Sequence, residues 1–114
     1  MNRDKLLKMR GGIIAFDLDS TLTIDEVEDF YNKTPNQVIE EMRHLIPNMD
    51  MINLLNEVAK HNTVYIYTAR NDCFQEVTNW WLKEHGVNCN YFLHNKEFYT
   101  CFIDDKACRP EELR

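Results

Sequence analysis

The stretch from Gly12 to Asp17, GIIAFD, is apolar at consecutive rather than alternate positions and is bounded by Gly11-Gly12 and by polar residues. A run of that kind is satisfied as a short strand buried on both faces, and such strands belong mostly to parallel sheets flanked by helices. This segment points to the α/β class. With 114 residues the chain has the length of one domain around one core, so residues 1–114 are expected to form a single unit.

Other segments fit the same class. TPNQVIEEMRHLI has Thr34 as an N-cap, Pro35 at the first helical position and Gln37 three residues after the cap, which predicts an amphipathic helix ending before Pro47. NMDMINLLNEVAKH predicts a second helix, capped by Asn48 or Asp50, with Met51, Leu54, Leu55, Val58 and Ala59 on one face. NTVYIYTAR predicts a strand ending near Thr68. Asp72 is then expected to cap a helix carrying Phe74, Val77, Trp81 and Leu82 inward and stopping at Gly86. Trp80 and Trp81 would point about 100° apart, one into the core and one to its rim. CNYFLH and FYTCFIDD predict two more strands. The order strand, helices, strand, helix, strand, strand implies a mostly parallel sheet with helices on its faces.

Composition narrows the partners. The net charge of -6 argues against a broad surface for duplex nucleic acid, because phosphate backbones are held by clustered Lys and Arg. No stretch reads as a signal peptide or membrane span, so no membrane association and a cytoplasmic location are expected. Cys73, Cys89, Cys101 and Cys108 lack CxxC spacing and are expected to be reduced, small buried hydrophobes. The four histidines, at 44, 61, 85 and 94, show no metal-ligand spacing.

Three strands end in functional polar residues: Asp17 and Asp19 after the first, Thr68 after the second, Asp104 and Asp105 after the last. Ligands in open α/β sheets collect beyond the carboxyl ends of the strands. Two carboxylate pairs converging there would repel one another, and a hard divalent cation such as Mg²⁺ would offset that repulsion.

The run IIAFDLDST, an apolar strand followed by DxDxT, resembles the first motif of the haloacid dehalogenase (HAD) superfamily of phosphohydrolases. Thr68 in YIYTAR matches that family's second motif, Lys96 in HNKEF is the candidate for its third, and CFIDD, with Asp104 and Asp105, matches its fourth. The segments TARN and IDDKACRP resemble a subgroup of small stand-alone proteins, some associated with capsule polysaccharide genes. The resemblance implies a three-layer α/β/α Rossmann-like fold with a mostly parallel sheet. Only residues 22–50 are available for a first insertion, too few for a cap domain, so the fold would be capless.

The resemblance also implies a mechanism. Asp17 would attack a phosphoryl group to form an aspartyl-phosphate, and Asp19 would act as acid and then base. Mg²⁺ would be held by Asp17 and Asp104, by the backbone carbonyl of Asp19, and by Asp105 through water. Thr68 and Lys96 would donate to phosphoryl oxygens, although Glu97 beside Lys96 could also pair with it at the surface. Ser20, Thr21 and Arg70 are the candidates for substrate contact, Thr21 also ordering the first loop through hydrogen bonds. Arg70 and Arg109 could equally pair with surface acids.

The substrate would be a sugar, nucleotide or macromolecular phosphate. An open site would be covered by a large substrate or by another subunit of a homo-oligomer. TIDEVEDFYNK would form a flap whose Asp25, Glu26, Glu28 and Asp29 would repel anionic substrates unless they point away. Two rivals stand beside the phosphatase: a catalytically silent Mg²⁺-binding or interaction module, and a phospho-receiver domain. In a receiver a middle strand ends in the phosphoacceptor, where this chain has Thr68.

Overall fold

The protein is described by a computed structural model covering residues 2–93 and 101–103, with 91–93 and 101–103 as main chain. It is a small α/β domain. Helix α1 (Arg3–Lys8) leads into strand β1 (Ile13–Asp17), and helices α2 (Pro35–Arg43) and α3 (Met49–Ala59) precede β2 (Thr63–Tyr67). Helix α4 (Gln75–Glu84) and the short strands β3 (Tyr91–Leu93) and β4 (Cys101–Ile103) follow.

The four strands form one sheet in the order β3-β2-β1-β4, and every pairing is parallel. Ile14 lies opposite Val64 and Phe16 opposite Ile66. The chain steps outward from β1 to β2 to β3 and returns to β4 on the far side of β1, so the order reverses between β1 and β4. That reversal is the switch point at which open α/β sheets leave a crevice at their carboxyl edge.

Ile14, Phe16, Val64 and Ile66, on alternate positions, enter the main core with Leu6 of α1, Met51, Ile52, Leu54, Leu55 and Val58 of α3, and Trp81 and Leu82 of α4. These helices therefore pack on one face of the sheet, because alternate strand residues share a face. Ile13, Ala15, Thr63, Tyr65 and Tyr67 belong to the other face. A three-layer arrangement needs a helix there, and none of the helices among the described residues supplies it.

The predicted capping box is present: Gln37 N–H donates to Thr34 Oγ1 (3.3 Å) and Thr34 N–H to Gln37 Oε1 (2.8 Å). Asn48, not Asp50, caps α3, accepting from Met51 N–H at 3.3 Å. Helix α4 begins later than expected, after a 3-10 turn over Asp72–Phe74, so Asp72 sits inside that turn rather than at the helix cap. Trp81 is buried and its Nε1–H donates to Leu45 O at 3.0 Å, while Trp80 lies at the rim under the Arg43 guanidinium.

Helix α1 was not anticipated. Six residues are too few for apolar periodicity to show, and its place is set by tertiary contacts: Leu6 enters the core, and Asn62 donates to Met9 O and accepts from Gly12 N–H. Gly11 takes a φ of +68°, and a Cβ on Gly12 would come within 3.1 Å of Met9 Sδ, which explains the glycine pair. Cys73 is exposed, against expectation; Cys89 packs at the edge of the core. No helix among the described residues is long and apolar enough to cross a membrane.

Candidate functional site

The carboxyl edge of the sheet at the switch point includes the end of β1, where Asp17 is half-buried and lies opposite Tyr67 in register. Strand alternation turns Asp17 away from the face that Phe16 packs into the helices. Strand β4 pairs with β1 as far as Ile103 opposite Phe16. Asp104, Asp105, Lys96 and Arg109 lie outside the described residues.

After Asp17 the chain winds into a tight loop. The N–H groups of Thr21, Leu22 and Thr23 all converge on Leu18 O, at 3.2, 2.9 and 3.2 Å. Leu18 and Leu22 are buried in the core and pin the loop from below, which leaves Asp19 and Ser20 above it, part-exposed. Ser20 adopts a left-handed φ of 63°, a strained conformation for a residue with a Cβ, and its N–H donates to Thr23 Oγ1 at 2.9 Å. Thr23 Oγ1 in turn donates to Asp25 O at 2.6 Å.

Thr21 helps to order the loop through its main chain, its N–H donating to Leu18 O and its O accepting from Asn48 Nδ2 at 3.3 Å, while Thr23 makes the side-chain bonds across the loop. Thr21 is buried, yet its Oγ1 has no hydrogen-bond partner among the described residues. The difference comes from the turn itself, which places the Thr23 hydroxyl across the loop and leaves the Thr21 hydroxyl enclosed beneath it.

Arg70 closes on Asp19 from the adjacent strand's loop. Its Nε donates to Asp19 Oδ2 at 3.1 Å and its Nη2 to Oδ1 at 2.7 Å, a two-point fork on one carboxylate. The Arg70 side chain is only 5% exposed and that of Asp19 is 30% exposed, so solvent screens this pair less than a surface ion pair. The backbone N–H of Arg70 also donates to Thr68 Oγ1 at 3.1 Å, and Thr68 is buried. Asp19, Thr68 and Arg70 thus form one connected group. Arg70, for which the sequence left a substrate contact and pairing with an acid both open, makes its fork with Asp19.

The flap carboxylates do not all face this group. Asp25 Oδ1 accepts from Ile46 N–H at 3.0 Å and ties the flap to the segment before α3, while Asp29 Oδ1 accepts from Asn32 Nδ2 at 3.2 Å. Glu26 is the one whose contact leads to the loop after β1: its Oε2 accepts from Ser20 Oγ at 3.4 Å. Glu26 and Glu28 also line an open cleft of about 360 Å³ beside α2, where Lys33 Nζ is held by both carboxylate oxygens of Glu41 and by Glu28 O.

Sequence reasoning passed over Leu18, Leu22, Thr23 and Thr78. The first three fall inside DLDSTLT, where the spacing of Leu18 and Leu22, four residues apart among polar neighbours, was the available signal. Among the described residues, no three His, Cys, Asp or Glu side chains stand close enough to hold a metal ion by themselves.

No protein-family model and no curated protein matches the chain. Solved structures are similar at the level of the fold. A chain in the "Structure of Pnkp1/Rnl/Hen1 complex" superposes with a TM-score of 0.57 at 14% identity, covering 88% of this chain and 31% of that one. A chain in the "Structure of the Pnkp1/Rnl/Hen1 RNA repair complex" gives 0.56 at 16% identity, covering 88% and 28%. The present chain thus spans about a third of the length of each.

Proposed function

We propose that the chain is a Mg²⁺-dependent phosphomonoesterase of the haloacid dehalogenase type, capless and with a Rossmann-like fold, working in the cytoplasm on a phosphorylated substrate. The observation that carries the proposal is the placement of the DxDxT loop, with Arg70 locked on its second aspartate, at the carboxyl edge of the central strand beside the switch point.

Asp17 attacks the phosphorus and the bond to the leaving oxygen breaks, giving an aspartyl-phosphate. Asp19 gives the departing oxygen a proton, then takes one from the water that attacks the aspartyl-phosphate, releasing inorganic phosphate and restoring Asp17. A carboxylate has about four lone-pair sites, so an Arg70 fork that occupies two of them still leaves Asp19 able to exchange a proton. Thr68 would donate its hydroxyl proton to a phosphoryl oxygen, its lone pair being engaged by Arg70 N–H.

The donor set fits a hard cation in kind, being oxygen throughout. As the resemblance implies, Mg²⁺ would be held by the Asp17 carboxylate and the main-chain carbonyl of Asp19, with Asp104 and Asp105 completing the set. When bound, Mg²⁺ would neutralise charge on the transferring phosphoryl group.

A silent interaction module is the second reading, since the Arg70 fork has the form of a structural ion pair as well. Phosphate release from an aryl phosphate with and without Mg²⁺, followed by a panel of sugar, nucleotide and oligonucleotide phosphates, separates the two. The similarity to chains of an RNA repair complex puts phosphorylated oligonucleotides in that panel. Turnover of any member that requires Mg²⁺ and Asp17 supports the enzyme; none across the panel leaves the silent module.

A further inference from the structure

Thr78 lies on the second turn of α4 and is completely buried. Its hydroxyl donates to Phe74 O at 2.8 Å, which uses the one proton it has. The same oxygen can then only accept, and it accepts from Arg70 Nη1 at 2.9 Å. Arg70 is therefore held at three points: Nε and Nη2 on the two oxygens of Asp19, and Nη1 on Thr78.

We propose that Thr78 is a positioning residue for Asp19, acting through Arg70. This rests on the phosphatase reading for its catalytic consequence, though not for its geometry. A guanidinium is a rigid planar fork, so fixing its third nitrogen fixes the plane and distance at which the other two present themselves. Two contacts to one carboxylate would let the pair swing together over the loop; the third contact ties that swing to helix α4. The acceptor is itself immobile: Phe74 is buried and its ring meets Phe30 of the flap edge-on at 5.6 Å. A threonine bonding back to the carbonyl four residues earlier is common inside helices. What distinguishes Thr78 is that its remaining lone pair faces a nearly buried guanidinium whose other nitrogens grip the candidate acid/base.

The test compares Thr78→Val, which keeps the shape and removes the hydroxyl, with Thr78→Ser, which keeps the hydroxyl. Thr78→Ala serves as a second hydroxyl-free variant should Val fail to fold, judged by circular dichroism. The first readout needs no activity: the side-chain Nε–H of Arg70, followed by nitrogen-15 NMR in the full chain, is expected to be protected from solvent exchange in the wild type and Thr78→Ser and to lose that protection in Thr78→Val or Ala. Unchanged protection in every variant overturns the positioning role, whether or not the protein is an enzyme. The second readout is the leaving-group dependence of kcat. Thr78→Val is expected to slow alkyl phosphates by on the order of a hundredfold, as misplacement of a catalytic group does, and an activated aryl phosphate far less, with Thr78→Ser restoring the difference. Equal slowing of both substrate classes, or no rescue by Ser, assigns Thr78 to helix packing alone. A wild type without turnover on any substrate, but with the protected Nε–H and its loss in Thr78→Val, would retain the positioning geometry and refute the phosphatase reading instead.

Discussion

Arg70 grips both carboxylate oxygens of Asp19 across 51 residues of sequence, with its own side chain almost wholly buried and that of Asp19 about a third exposed. The asymmetry of burial makes the two partners unequal. Removing Asp19 strands a cation with little access to water, whereas removing Arg70 leaves a carboxylate that water can still reach.

We therefore predict that Asp19→Ala destabilises the fold by about 3 kcal/mol and Arg70→Ala by roughly half of that, the first leaving a charge buried without its partner. Urea denaturation of both variants measures the difference. Equal losses, or a larger one for Arg70→Ala, would show that the guanidinium is solvated in solution.

On the proposed mechanism Asp17→Asn should abolish phosphate release while circular dichroism and the melting profile remain those of a folded protein, because it removes the proposed nucleophile at the end of a strand whose core contacts are made by Ile14 and Phe16. Retention of more than a small fraction of activity would rule out a covalent role for Asp17.

Asp19→Asn should separate acid/base chemistry from nucleophilic attack. Substrates with poor leaving groups should slow far more than an activated aryl phosphate, whose departing oxygen needs little protonation. With the activated substrate no base remains to draw water onto Asp17, so intact-mass measurement after rapid quench should find one added phosphoryl group. Uniform slowing without phosphorylated protein would leave Asp19 a geometric role only.

Glu26 carries the flap's negative charge to the edge of the loop after β1 through Ser20. Glu26→Gln should raise kcat/KM severalfold for multiply anionic substrates at low ionic strength, and the gain should fade at about 0.15 M salt as screening shortens the reach of an exposed charge. Steady-state kinetics at two salt concentrations checks this; a gain independent of salt would point to a direct contact instead.

Desolvation pushes the Cys89 thiol above its ordinary range, whereas Cys73 is exposed. Alkylation proceeds through the thiolate, so a raised value means less reactive Cys89 at neutral pH and a rate that climbs as pH rises. Peptide mapping after brief treatment with iodoacetamide at neutral pH should find Cys73 modified well before Cys89. The reverse order would mean that the edge of the core near Cys89 opens readily.

The elements that could be read directly from the chain are those whose causes are local. The α2 capping box, the apolar stripe of α3, the strands β1 and β2 and the division of labour between Trp80 and Trp81 each depend on residues within a few positions of one another, and each lies where periodicity and capping chemistry put it. The placement of Asp17 and Asp19 at a strand end is local in the same sense. The strand order was not local: β1 became the central strand because it pairs with β2 and β4 across long separations, and that pairing creates the switch point beside the aspartates. Helix α1 exists through Leu6 and Asn62 rather than through any pattern of its own. Arg70 gave no sign in the sequence of whether it would meet a ligand or an acid, since a guanidinium fork fits a phosphate and a carboxylate alike. Folding decided it by bringing Asp19 within 2.7 Å and Thr78 behind it, and which acceptor an arginine finds depends on the three-dimensional neighbourhood, which local spacing does not encode.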